Sequence, residues 1–291
     1  MRLVLGDALY RHDPARPPLD ALTVLLTRFN MVLPGFREAG RLLDEESFAA
    51  WLSARVGIFR HVCLRSVLSQ RPRPDLWLIG FDAARRDAVR PVLDAIAAHD
   101  WIVPVWQETT DGVAEGLQLP FLREIELRRT PSHRWLVTTR LDNDDALNRL
   151  FFATLAEYAA AVQAARPALD DHWIVFPYGA QYGAGRFRLF PQTNNAFLSR
   201  VERLPADGPA RVATVLQINH SRVLDAGQVF LPVTRQPMWL QFVHGGNVSN
   251  RLNPHLVHVA EPEAELARFG LLKPVLDRWS PAEGEEAPAP R

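Results

Sequence analysis

Apolar residues recur along this chain in two rhythms, and the change between them divides it into halves. In the first half, compact apolar runs alternate with helical spacing. Residues 21–27 (ALTVLLT), 76–82 (LWLIGFD), 101–106 (WIVPVW) and 135–139 (WLVTT) are short, rich in β-branched or aromatic residues and bounded by polar residues or proline. That is the pattern of buried strands. Pro104 removes a ladder donor, which predicts an edge position for the third run. Between the first two runs, Phe48, Trp51, Leu52, Val56, Phe59, Val62, Val67 and Leu68 recur at three- and four-residue steps. They predict a helix over 44–70, with Asp44 as N-cap and RPRP (71–74) as its stop. Further helices are predicted over 87–99, 121–129 and 146–165. Strands and helices in alternation imply a parallel sheet covered on both faces.

The second half changes character. Residues 172–190 (HWIVFPYGAQYGAGRFRLF) alternate apolar and polar positions around glycine-rich turns, predicting antiparallel strands. NNAFLSRVE (194–202) reads as the start of a short helix, and MWLQFVHGGNVSN (238–250) as a strand entering a Gly/Asn loop. SPAEGEEAPAPR, from 280 to 291, has almost no large apolar residue and reads as a disordered tail. No internal repeat is visible. The expected organisation is one α/β domain over 1–279. Its nucleotide-fold-like half covers about 20–145 and its β-rich half about 146–279.

Composition narrows the function classes. The chain has 291 residues, 47% hydrophobic and 23% charged, the balance of a globular protein able to bury a large core. Lys+Arg and Asp+Glu both number 33, so no basic excess advertises nucleic acid or an anionic membrane. No apolar run is long enough to span a bilayer, and the N-terminal run is too short for a signal sequence. The one cysteine, Cys63, lies in an apolar helical pattern and reads as a buried inert thiol. A cytoplasmic protein is expected.

In open α/β sheets ligands bind beyond the carboxyl ends of the strands. Three of the predicted strands end on polar groups there: Arg28 and Asn30 after the first, Asp82 after the second, and Arg140 with Asp142, Asn143, Asp144 and Asp145 after the fourth. The aspartate cluster TTRLDNDDAL (138–147) admits two readings. One aspartate could cap the helix expected from Ala146, but one is enough for that. A hard divalent cation shared with a bound anion explains more of the negative charge. A calcium-binding EF-hand loop is excluded, because counting from Asp142 its sixth and twelfth positions are Leu147 and Ala153.

Asp142-Asn143-Asp144 at a strand end resembles the DXD motif of glycosyltransferases with the GT-A fold, and LDNDDAL is similar to their LDxDD segment. RHVCLRSVLSQRPRPDLWLIGFD (60–82) looks like the helix-to-strand run of the same enzymes. Together with LTRFN (26–30) and MWLQFVHGGNVSN (238–250), these blocks resemble the bacterial family known as "putative rhamnosyltransferases" over about residues 22–250. The resemblance implies a GT-A-like, Rossmann-type mixed sheet with a β-rich acceptor side. It implies transfer of a sugar, rhamnose first, from a nucleoside-diphosphate donor to a hydroxyl of a glycan or other acceptor, assisted by Mn²⁺ or Mg²⁺. Carried over residue by residue, Arg28, Asn30, Asp82, Arg140 and Asp142 would bind the donor, and Asp142, Asp144 and His244 would ligate the metal.

The chain departs from related inverting enzymes in one respect. No acidic residue lies between Asp171 and Glu202, where a general base is expected after the metal loop. QINHSRV makes His220 the candidate base, with Glu202 and Asp225 as alternatives. Tyr178, Tyr182, Trp173 and Trp239 could stack on acceptor sugars or pack in the core. Two rival classes remain, a non-catalytic sugar- or nucleotide-sugar-binding protein of the same fold and a Mg²⁺-dependent nucleotidyltransferase. The latter would be expected to carry a glycine-rich phosphate loop after the first strand, and LTRFNMVLPG has none.

Overall fold

The computed structural model describes residues 2–5, 15–30, 45–108, 118–205, 212–244, 247 and 251–280. The cap expected at Asp44, the tail from 281 and the two glycines after His244 lie outside them. Twelve strands among the described residues form two sheets: β1 (Arg2–Leu5), β2 (Ala21–Arg28), β3 (Leu76–Asp82), β4 (Ile102–Gln107), β5 (Trp135–Arg140), β6 (Ala146–Leu147), β7 (Asp171–Val175), β8 (Tyr178–Gly183), β9 (Arg186–Pro191), β10 (Leu198–Arg203), β11 (Val229–Pro232) and β12 (Trp239–Phe242). The large sheet has the order β1-β11-β7-β10-β5-β2-β3-β4 and the small one β6-β12-β8-β9.

The four runs predicted as buried strands are β2 to β5, all parallel to one another. β4, with Pro104, is the edge strand, as the missing donor required. β10 inserts antiparallel between β5 and β7 and makes the sheet mixed. The α/β expectation is met. On one face lie α1 (Glu45–His61), α3 (Arg90–Ile96) and α5 (Phe151–Ala165), packed through Phe48, Leu52, Phe59, Val92, Phe151 and Leu155. On the other face α4 (Gln118–Arg128) brings Phe121 and Ile125 into one cluster with Leu22, Val24 and Leu26, the alternate residues of β2. A third cluster joins the small sheet to α6 (Pro262–Ala267) and α7 (Lys273–Leu276).

Three expectations are corrected. The helix predicted over 44–70 is interrupted at Val62 and continues as α2 (Cys63–Leu68). The helix predicted from Ala146 starts only at Phe151. Ala146 and Leu147 pair with Leu240 and Trp239 instead, and Asn148 turns the chain by accepting from the Leu150 amide at 3.0 Å. The short helix expected in NNAFLSRVE is β10. Its polar residues imitate a solvated helical face, but they pair across strands: Ser199 bonds Thr139 at 2.8 Å, and Arg200 bonds Asp171. The predicted 172–190 strands exist but divide between the sheets, β7 in the large one and the antiparallel β8–β9 pair in the small one.

Candidate functional site

β5, β2 and β3 are neighbours, so their carboxyl ends bring the polar residues that follow them to one edge of the sheet. After β2, buried Asn30 accepts the Asp82 backbone N–H through Oδ1 at 2.9 Å, while its Nδ2 has no partner among the described residues. Asp82 caps the short turn beyond β3, accepting from the Ala84 amide at 3.0 Å, with Arg85 Nε 3.7 Å away. The structure therefore gives Asp82 a capping role and leaves an unsatisfied amide beside it.

Next to this pair, Arg140 donates to both oxygens of Asp142, at 3.2 and 3.0 Å, and Arg28 stands 3.9 Å from the same carboxylate. Burial pushes the Arg28 guanidinium down to about 10, helped by the Arg140 charge and opposed by Asp142. It still carries its proton at neutral pH. Burial pushes the Asp142 acid up, but Arg140 and Arg28 outweigh it and leave the carboxyl below its ordinary value. Arg140 Nη1 lies 3.3 Å from His220 Nδ1. A guanidinium can only donate, so Nδ1 accepts and a neutral His220 carries its proton on Nε2. Burial, Arg140 and Arg28 all lower the His220 pKa, so the neutral form prevails at neutral pH.

Asp144 occupies a different environment, with 9% of its side chain exposed. It forms an ion pair with Arg55 of α1, accepts from Asn247 Nδ2 at 3.0 Å, and lies 3.1 Å from His244 Nε2. Burial drives its acid up, yet the Arg55 charge and the His244 hydrogen bond hold it well below the carboxylate range. His244 is pushed down, first by burial, against the pull of Asp144. Neutral His244 thus donates Nε2–H, and Arg55 is the cation of the pair. Arg55 also donates to Asn143 Oδ1 at 3.1 Å, and Asn143 Nδ2 donates to the Phe29 carbonyl. Asp145 does not cap a helix; it accepts the Phe242 amide at 3.0 Å and ties the cluster to β12. Burial and its two aspartate neighbours raise its pKa well above normal.

Arg55 and Asn247 were not anticipated as site residues, and Asn143, expected at this edge, was given no role. Arg55 had a readable signal. It falls on the apolar stripe of its helix, four residues after Trp51 and four before Phe59, and its guanidinium lies 5.0 Å from the Trp51 ring.

Several expected site residues lie elsewhere. Glu202 of β10 faces Leu136 in register, four residues before Arg140, and so sits toward the amino end of β5. It accepts the Ala213 amide at 3.1 Å and pairs with Arg200 at 3.4 Å. Trp239 is buried, stacks on Phe197 at 4.7 Å, and donates Nε1–H to the Phe176 carbonyl at 2.8 Å. Its ring lies so close to Gly179 that any Cβ there would meet it at 2.1 Å. Tyr182 is equally buried and bonds Asp277. Tyr178 stands at the start of β8, whereas His244 follows the far end of the parallel strand β12. Trp239 and Tyr182 are therefore core, and Tyr178 lies at the end of the small sheet away from His244. Trp173 is core as well, and Asp225 is an exposed residue closing a turn.

The metal expectation can be tested against the donor set. Two ligands of one octahedral ion at about 2.1 Å are roughly 3 Å apart. Asp144 and His244, at 3.1 Å, have that separation. Asp142, the third expected ligand, is paired with Arg140 at 3.0 Å. No cluster of three or more His, Cys, Asp or Glu side chains able to hold an ion occurs among the described residues. Two protein ligands fit a hard cation that takes its remaining oxygens from a phosphorylated substrate, provided Arg55 yields its place on Asp144 and His244 carries its proton on Nδ1 instead of Nε2.

Comparison with known proteins gives three findings. A family model described as "Putative rhamnosyl transferase" matches residues 22–256. No curated protein matches the chain. Two solved structures similar to it are 4-diphosphocytidyl-2C-methyl-D-erythritol synthases. One, from Anaerococcus prevotii, is 10% identical, with 86% of this chain and 95% of that chain covered and a TM-score of 0.30. The other is 13% identical, with 85% and 98% covered and a TM-score of 0.32.

Proposed function

From the premise that this chain belongs to the rhamnosyl transferase family, we propose that it moves a sugar, rhamnose first, from a nucleoside-diphosphate donor to an acceptor hydroxyl. The carrying observation is one edge of one sheet where two arginines, Arg28 and Arg140, share the half-buried carboxylate of Asp142 beside the Asp144–His244 pair. In the transfer, the bond from the anomeric carbon to the diphosphate oxygen breaks, and a bond to the acceptor oxygen forms as that hydroxyl's proton passes to water. Negative charge grows on the departing diphosphate. Arg28 and Arg140 are fixed cations placed to stabilise it, and their exchange of Asp142 for phosphate needs no new charge in the site. His220, held by Arg140 with its proton on Nε2, acts as a further donor to the leaving group and not as the expected base. Asn30, with its open amide, is the candidate contact to the nucleoside.

Asp144 and His244 are the residues that would hold Mn²⁺ or Mg²⁺. Such an ion, when bound, supplies Lewis-acid neutralisation of the diphosphate. Arg55 keeps Asp144 ionised and aimed in the meantime. Calorimetry of the protein with a panel of nucleoside diphosphates, with and without Mn²⁺, tests the reading. Affinity should rise with the ion, and Asp144→Ala should remove that rise. Binding that ignores both the ion and the substitution would refute the metal assignment, and no binding of any nucleoside diphosphate would refute the donor class.

A further inference from the structure

A second charged feature lies apart from the strand-end site. A cavity of about 580 Å³ opens between α2, the chain entering α5, the segment before β12 and the turn after α6. Four arginines line it: Arg65, Arg71, Arg149 and Arg268. They come from three distant parts of a chain whose net charge is zero, so their convergence is local and opposed by mutual repulsion.

The convergence is also built. The Arg71 amide donates to the Arg149 carbonyl at 3.1 Å, and the Arg149 amide donates to the Arg268 carbonyl at 2.8 Å. The three backbones are thereby strung in a row. Arg65 is fixed to the same turn through Nε–H to the Gly270 carbonyl at 2.6 Å. No carboxylate lines the cavity among the described residues. Glu265 reaches one of the four, Arg268, at 3.1 Å; the bonds of the Arg65 and Arg71 side chains go to backbone carbonyls. The fifteen-residue helix α5 begins beside Arg149, with no side-chain cap and no acidic residue in its first turn, so its positive end adds to the field.

We propose that this cavity is a second binding site, for a phosphate-bearing ligand. Several guanidinium groups around one space match the several oxygens and the charge of a phosphate better than one carboxylate would. The volume is in the range that takes a whole small molecule, so the phosphate is one end of a larger ligand. The site is separate from the candidate active site. Gln236, which shares the cavity, precedes β12, while His244 follows it, and the strand's length stands between them.

The probe is inorganic pyrophosphate, titrated calorimetrically into the full chain. The strand-end site will also bind it, so Arg28→Ala/Arg140→Ala serves as the reference. A binding event that survives in that reference and weakens about tenfold or more in Arg71→Glu/Arg149→Glu supports the proposal. Loss of all binding in the reference, or an unchanged isotherm in the second pair, overturns it. Both arginines of that pair are exposed, so the fold should be kept. If thermal unfolding shows otherwise, Arg71→Gln/Arg149→Gln repeats the test. Sedimentation with phosphatidylcholine vesicles, with and without phosphatidylglycerol, separates the sources. Pelleting that needs both phosphatidylglycerol and the two arginines identifies a lipid headgroup. A pyrophosphate event without pelleting identifies a soluble phosphate ester.

Discussion

Asp144 and Glu202 are buried carboxylates, each within reach of an arginine, at opposite ends of the neighbouring strands β5 and β10, and their acidities move in opposite directions. Burial raises both. Around Asp144 the Arg55 charge, His244 and Asn247 all act on the carboxylate and overcome that rise. Around Glu202 they do not. Arg200 gives two hydrogen bonds to Asp171 and only a looser 3.4 Å contact to Glu202, whose Oε2 has no side-chain or backbone partner among the described residues. Burial alone therefore does not fix which way a carboxylate's acidity moves. What separates the two is how closely the cation is held, with Arg55 in direct ion-pair contact with Asp144 and Arg200 at 3.4 Å from Glu202.

The largest effect should come from removing the anion at the first end. Asp144→Ala leaves Arg55, only 5% exposed, without its carboxylate. Stranding a buried charge costs about 3–5 kcal/mol, so the melting temperature should fall on the order of 10 °C together with loss of transferase activity. A melt unchanged within a degree or two would mean that the ion pair is not buried as described. Arg140→Ala is next. It frees Asp142 and His220 and should weaken nucleoside-diphosphate binding roughly ten- to a hundredfold, read by calorimetry, with little change in stability.

The third test concerns His172, beside Asp171 at the other end. It is fully buried, neither ring nitrogen has a partner among the described residues, and burial lowers its pKa to about 4. The unfolded chain binds this proton near 6.5 and the folded one does not. Stability should therefore fall as the pH drops from about 6.5 to 4, by about 3 kcal/mol in total. Denaturant titrations at several pH values would measure it, and His172→Phe should flatten that part of the profile. The smallest effect is expected from Glu202→Gln. The folded protein holds the Glu202 proton more tightly than the unfolded one, so its contribution is full below the unfolded pKa and is lost as pH rises through the folded value. At neutral pH the neutral amide should change stability by about 1 kcal/mol or less and leave activity intact. A large loss of activity would return Glu202 to the mechanism.

The parallel strands were legible because each is apolar on both faces, and the polar residues after β2, β3 and β5 announced the site edge. β10 was not legible, since the hydrogen-bond partners of Ser199, Arg200 and Glu202 lie on segments outside their own strand, brought near by the fold. Trp239 and Tyr182 misled for a related reason. An aromatic residue near a glycine turn looks the same in sequence whether it faces a sugar or fills a core. Only the contacts with Phe197 and Asp277 decide. Arg55 was overlooked because a helical spacing says which face a residue takes and not what waits there.

The two-residue strand β6 carries a consequence for biosynthesis. It fastens the aspartate loop to β12, and the Asp145–Phe242 bond and the Asp144–His244 contact beside it join residues 97 and 100 positions apart. Contacts of such long range close late, because the intervening chain must first be ordered. A nascent chain in which β2 to β5 have already emerged therefore holds Arg28, Arg140 and Asp142 but not yet the Asp144–His244 pair. That pair is completed only when the small sheet docks.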